Sequence, residues 1–352
     1  MYADWLQRTD PYNLYPFLFV LPSGCIFIAY HNEARILDPG TLGTQRALPN
    51  MPADAPEGGR TYPFEGTGMA LPMYAPFEDP MEIIVCGGSS PSSEALDDCV
   101  SITPGVPDAK WVIEKMPSKR VLSCMAPLPD GSLMIVNGAQ QGVGGFDLAD
   151  NPNLNAVHYD PTKPRNRRMT VMANTTIARL YHSEATLMDD GRLLISGSDP
   201  QDPDYPQEYR YEVFTPPYLM GDPQRPTMEM TNLDWGYGED INVPITPSGA
   251  GAPAADYRIS LIAAISSTHG ASMGHRTLFP ATTCTAESCT VRSPPGPNIA
   301  PPGWYQVFLL DGDNVPSMAA WVRIGGDPAG FGTWPDIEGF SRPGMGPVEA
   351  LV

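Results

Sequence analysis

The sequence predicts an all-β protein, a partial kelch-type β-propeller of about four blades followed by an immunoglobulin-like β-sandwich. Three observations carry this prediction. No stretch sustains an apolar period of 3.6, so almost no helix is expected. The 352 residues include 41 Pro and 34 Gly yet are 42% hydrophobic, which suits many short strands cut by turns. A strand–turn–strand unit also recurs on a scale of about 50–60 residues, that of one four-stranded kelch blade.

Each copy reads as an apolar strand, a turn, a second apolar strand, a loop and a strand that ends in a Pro turn. The first spans 17–29, turning at Pro22-Ser23-Gly24, and is closed by 34–39. The second is irregular, with strands over 68–73 and 81–88 closed by 99–104. Its acidic run at 94–98 is expected to be a solvated loop. The third covers 125–138 around Pro129-Asp130-Gly131, closed by 156–161. The fourth covers 178–197 around Asp189-Asp190-Gly191, closed by 211–216. A blade buries its faces against its neighbours. Four of them leave two open edges, so the propeller is expected to be incomplete.

After Pro217 the pattern changes to short alternating strands at 257–262, 304–311 and 319–324, the signature of a sandwich. The expected domains are a partial propeller at 1–222, an immunoglobulin-like domain at 223–326 and a Gly/Pro-rich tail at 327–352.

Charge and hydropathy narrow the partners. The formal net charge is −19, from 40 acidic against 21 basic residues. Such a surface repels phosphate backbones, which excludes nucleic acid as the expected partner. No apolar run approaches the roughly 20 residues of a membrane span. Of the six cysteines, Cys284 and Cys289 fit a disulfide across a turn, and Cys86 and Cys99 could close a Ser-rich loop. Cys25 and Cys124 are expected to stay free. Neither pair has zinc-ligand spacing, and two disulfides point to an oxidising compartment. The sequon Asn174-Thr175-Thr176 agrees with that. Residues 1–10 lack an apolar core of signal-peptide length, so either the protein is not secreted or this is not its true beginning.

The candidate chemistry lies in Tyr181-His182, just before the fourth turn, and in His269 far downstream. Phenol oxygen and imidazole nitrogen both bind metals. Neighbours in a regular strand face opposite ways, so one ion could take Tyr181 and His182 only where the strand begins or bends. His31 and His158 are expected to be structural. Arg179 and Glu184 are expected either to support the site or to lie on the surface, and His275 receives no role.

Taken together, several segments resemble the glyoxal-oxidase-like branch of the copper radical oxidases, the galactose oxidase group. They are Tyr15-Pro16-Phe17-Leu18, Arg60-Thr61-Tyr62-Pro63, Val136-Asn137-Gly138-Ala139, Ala178-Arg179-Leu180-Tyr181-His182-Ser183, Tyr209-Arg210 with Pro216-Pro217-Tyr218, and Thr268-His269 with Met273-Gly274-His275-Arg276. The resemblance implies a seven-bladed propeller, of which this chain holds about four blades, and a sandwich loop that delivers a histidine to copper. It implies Tyr181, His182 and His269 as copper ligands, with Tyr181 also the catalytic base. It implies an aldehyde or alcohol substrate, O2 as oxidant, H2O2 as product and a secreted protein. The family's second redox centre, a tyrosine cross-linked to a cysteine in an Arg-Trp-Tyr context, is absent from this sequence. Cys25 and Cys124 do not match its cysteine. The chain is therefore expected to be a fragment, inactive as an oxidase on its own. The competing expectation is a non-catalytic propeller module that binds glycan or protein.

Overall fold

The computed structural model describes residues 3–53, 57–249, 256–327 and 338. The expected tail, 327–352, lies outside the described residues except for Asp327 and Glu338.

Four antiparallel sheets follow one another in chain order. The first holds Phe17–Val20, Ile26–Tyr30, Glu33–Leu37 and Thr44–Ala47. The second is built on Thr67–Ala70, Ile83–Cys86, Leu96–Ile102 and Val112–Arg120. The third holds Cys124–Pro127, Leu133–Val136, Asn155–Tyr159 and Met169–Asn174. The fourth, of three strands, holds Glu184–Leu187, Leu193–Ser196 and Glu212–Phe214. The innermost strand of the third sheet packs between those of the second and fourth. The expected turns hold: Gly24, Gly131 and Gly191 all take positive φ, which glycine adopts without steric cost.

Two further sheets make the sandwich. One orders Thr227–Met228, Asp240–Thr246, Ser288–Arg292 and Thr282–Cys284. The other orders Asp234–Trp235, Ala320–Ile324, Gly303–Leu310, Arg258–Ala263, Thr277–Phe279 and, at its edge, Met73–Tyr74 from the second propeller unit. Propeller and sandwich therefore share backbone hydrogen bonds as well as side-chain packing. Phe17, Phe27 and Val85 of the blades belong to the same buried cluster as Trp235, Ile259 and Leu309 of the sandwich. Arg276, almost fully buried, donates to the carbonyls of Val20 and Ile299 and fixes the first blade against the sandwich.

The feature that positions the site is a hairpin of the sandwich, Ser266–Thr268 and Ala271–Met273. Its second strand lies between the inner strands of the first two blades and pairs in parallel with the second, Ala271 opposite Gly68. The Gly270 carbonyl accepts from the Gly68 backbone N–H at 3.0 Å and from the Thr67 hydroxyl at 3.2 Å.

Both expected disulfides form, Cys86–Cys99 and Cys284–Cys289, each linking residues directly opposite on neighbouring strands. Cys25 and Cys124 are free.

One expectation is corrected. The acidic run at 94–98 is not a solvated loop. Leu96–Ile102 is a strand, and Asp98 is wholly buried in an ion pair with Arg60, itself bonded to the carbonyls of Gly87 and Pro52. Pairing and hydrogen bonding are what make a buried charge tolerable. Arg179, expected either to support the site or to lie on the surface, is not on the surface. It is buried and donates to the carbonyls of Gly197 and Arg210 and to Glu212, fastening the strands of the fourth blade. Almost no helix is present, as expected: the one α-helix among the described residues, Asp4–Thr9, packs Trp5 against Tyr30 of the first blade.

Candidate metal centre

Tyr181, His182 and His269 come together from two different parts of the chain. Tyr181 and His182 sit on the connection into the strand Glu184–Leu187, and His182 takes φ 61°. This is the bend that the adjacent-ligand argument required. Through it the two rings turn to the same side and stack, with centroids 3.8 Å apart. His269 stands at the tip of the sandwich hairpin with φ 50°. Its Nε2 is 3.0 Å from the Tyr181 hydroxyl, and its ring is 5.4 Å from His182 at a right angle. Positive φ at two such residues costs energy that the surrounding structure must sustain, a pattern common at functional sites.

The hairpin tip shows how that conformation is sustained. Gly270 has φ 71°, and a Cβ there would lie 2.0 Å from the Gly66 carbonyl oxygen. Only glycine lets the tip press flat against the second blade, and that contact sets how far His269 reaches. On the other side of the imidazole, the Thr268 hydroxyl lies 2.7 Å from Nδ1.

Aromatic side chains absent from the sequence-based ligand set enclose these three. Tyr15, itself at φ 50°, stacks on His269 with centroids 3.7 Å apart and planes 7° from parallel. Tyr62 meets His269 edge-on at 5.4 Å and Tyr15 edge-on at 5.6 Å. Phe146 stands edge-on to both Tyr181 and His182. Tyr15 and Phe146 are each more than 40% exposed and flank the open side, whereas Tyr181 is 6% exposed. Tyr15 and Tyr62 lie in conspicuous sequence segments, Tyr15-Pro16 and Arg60-Thr61-Tyr62-Pro63. Nothing in their spacing showed that blades one and two would bring them to one histidine.

Burial governs the protonation states. It draws His269 down to about 4, helped by the neighbouring His182, so the imidazole is neutral with a free lone pair at neutral pH. Burial, with the neighbouring Tyr62, pushes the Tyr181 phenol above its ordinary value, so Tyr181 holds its proton unless a cation stands beside it. Glu65, behind the ring cluster, is pushed up to about 8 by burial and then by Glu184. Glu184 is itself raised, chiefly by burial.

Among the described residues, no three His, Cys, Asp or Glu side chains gather as a metal set. A metal here therefore rests on imidazole and phenol donors. The neutral imidazole of His269 and the phenol of Tyr181 already meet at one point, with His182 beside them. Nitrogen and phenolate oxygen in this mixture suit Cu(II) better than Mg2+ or Ca2+, which prefer all-oxygen shells.

The remaining histidines stand apart. His158 bonds Ser132 at 2.8 Å within the third blade. His31 occupies a turn of the first blade at φ 48°, its backbone N–H donating to Thr61. His275 is wholly buried, and burial draws it down to about 3.

A sandwich that inserts a histidine between propeller blades, opposite a Tyr-His pair, defines the class: a propeller-plus-sandwich protein with a candidate metal site at their junction. The profile described as glyoxal oxidase N-terminus matches residues 3–218, and that of the galactose oxidase-like early set domain matches 225–324. The chain belongs to the glyoxal oxidase N-terminus family. A WSC domain-containing protein of Arthroderma benhamiae is 56% identical across 98% of this chain and 37% of its own length. The aldehyde oxidase GLOX of Vitis pseudoreticulata is 33% identical across 89% of this chain and 62% of its own length. The chain thus spans from about a third to under two thirds of these relatives. A fungal alcohol oxidase of the AA5 family, solved in complex with copper, aligns with TM-score 0.65 and 18% identity over 89% of this chain and 76% of its own. That likeness is one of fold.

Proposed function

We propose that this chain carries the copper-holding part of a glyoxal-oxidase-like centre, with Tyr181, His182 and His269 as ligands. The whole protein, secreted, would oxidise an aldehyde hydrate or an alcohol and reduce O2 to H2O2. The observation that carries this reading is the 3.0 Å approach of Tyr181 to His269 with His182 stacked alongside. Bound copper would supply a one-electron redox couple.

The chain's own residues do the rest. His182 and His269 offer imidazole nitrogens, that of His269 kept neutral by burial. Tyr181, ionised beside the cation, accepts the proton of the substrate hydroxyl as general base. Tyr15 and Phe146 leave an approach between their exposed rings. Removing two electrons needs a second redox residue. By this reading neither free thiol serves as its cysteine half, which fits their bonding elsewhere: Cys124 donates to the Ser183 carbonyl at 3.2 Å and Cys25 to Gln45 at 3.3 Å. By this reading the chain alone binds copper without steady turnover. The same thiol placement favours a second reading, a non-catalytic propeller module for glycan or protein.

The test loads the purified chain with Cu(II), records its EPR spectrum and assays peroxide with an aldehyde substrate. Expected are hyperfine couplings from two imidazole nitrogens and no sustained H2O2. Sustained peroxide from this chain would contradict its inactivity. Absence of nitrogen-coordinated copper would contradict the metal centre itself.

A further inference from the structure

We propose that Asn174 carries an N-linked glycan and that this glycan covers the open edge of the third blade. The site rests on the secreted part of the proposed function and is independent of the copper reading.

Asn174-Thr175-Thr176 is the one Asn-X-Ser/Thr sequence in the 352 residues, and its middle residue is not proline. The three residues divide their tasks. Thr175 is half-buried and joins two blades: its N–H donates to the Leu154 carbonyl at 2.9 Å, and its hydroxyl donates to Glu212 of the fourth blade at 2.6 Å. The same hydroxyl accepts from the Ile177 N–H at 3.0 Å. Asn174 and Thr176, on either side, are exposed. The Asn174 side chain makes no hydrogen bond among the described residues, so a sugar attached to it displaces no contact of the fold.

The surroundings of Asn174 are those a glycan would cover. Met169–Asn174 is the edge strand of its sheet and pairs with Asn155–Tyr159 alone. An uncovered edge is a template for pairing with another chain. Val171 on this strand is 52% exposed. Asn174 also lies on a groove of about 200 Å3 between the third and fourth blades, whose lining includes Leu154 and Val213, both more than a third exposed. A bulky, hydrated group fixed at the end of the strand screens both the edge and these apolar side chains. Attachment needs a lipid-linked oligosaccharide diphosphate as donor. The Asn174 amide nitrogen bonds to the anomeric carbon, and the bond from that carbon to the diphosphate oxygen breaks. The amide loses one proton as the lipid diphosphate leaves.

The experiment takes the native protein from its source organism and follows Asn174 by mass spectrometry before and after peptide N-glycosidase, which turns a glycan-bearing Asn into Asp. Light scattering on heating then compares the native protein, the same protein stripped of glycan, and Thr176→Ala from the same organism, which keeps Asn174 but removes the acceptor sequence. The stripped protein has folded before it loses its glycan, so its aggregation reports the cover rather than assembly. Expected are a glycan on Asn174, none in Thr176→Ala, and aggregation of both glycan-free forms at a lower temperature than the native protein. Thr176→Ser, which keeps the acceptor sequence, should match the native protein. A secreted protein with bare Asn174 would overturn the site and leave the secreted reading standing. A protein found only inside the cell would overturn secretion, and the site with it. A glycan whose removal leaves aggregation of the stripped protein unchanged would overturn the covering role.

Discussion

Glu65 lies behind the ring cluster with Oε2 buried and without a hydrogen-bond partner among the described residues. Its proton is held to about pH 8 because burial disfavours the ionised form, and Glu184 adds repulsion. In the unfolded chain the same carboxyl ionises near 4.5. The folded state therefore binds more protons between those values, and stability falls as pH rises from about 4.5 towards 8. Glu65→Gln mimics the protonated group at every pH. In metal-free denaturant titrations it should match the wild type at pH 4.5 and exceed it at pH 8 by at least about 1.4 kcal/mol, the worth of one pKa unit. A difference that does not change with pH would contradict this account. At this scale the sequence was legible where side-chain chemistry is local, as in Tyr181-His182. It was not legible for Glu65, Tyr62 or Asp98, whose roles depend on burial and on partners from other strands.

The decisive element is the sandwich hairpin. Its apolar content is slight, and its role comes from a glycine whose backbone fits against Gly66 and Thr67. Gly270→Ala places a methyl group in that contact at a positive φ. It should destabilise the chain by about 1–3 kcal/mol and weaken copper binding by withdrawing His269. Urea denaturation and a Cu(II) titration check both effects, and unchanged copper affinity would show that the tip does not set the reach of His269. The inner strands of the first, third and fourth blades were legible as apolar runs bracketing Gly turns. The outer strands Thr44–Ala47, Val112–Arg120 and Met169–Asn174 were not, because each is largely or alternately exposed and carries polar residues. A strand wet on one face has no continuous apolar run to read.

Across the whole molecule, the blades and the sandwich are one packed unit around a shared core, and the candidate metal site lies at their junction. The core reaches the first two blades through Phe17, Phe27 and Val85 and the sandwich through Trp235, Ile259 and Leu309. The third and fourth blades meet the sandwich through Ile262 and Phe308. Leu18, Val20 and Leu42 of the first blade are each more than a third exposed. Fold class was legible from repeat length and turn spacing, because propeller blades repeat locally. The insertion of the hairpin between blades was not, since it joins positions about 200 residues apart, and only the resemblance to a known family pointed to it.

The central claim is that two histidines and a tyrosine from separate domains hold one copper ion. The most direct test is the copper content of the wild type and His269→Ala after equilibrium dialysis against Cu(II), with the melting temperature of each metal-free chain as control. The account predicts about one tightly held Cu(II) per wild-type chain. It predicts none retained by His269→Ala, with the metal-free melting temperature preserved. Equal retention by a folded His269→Ala would contradict it.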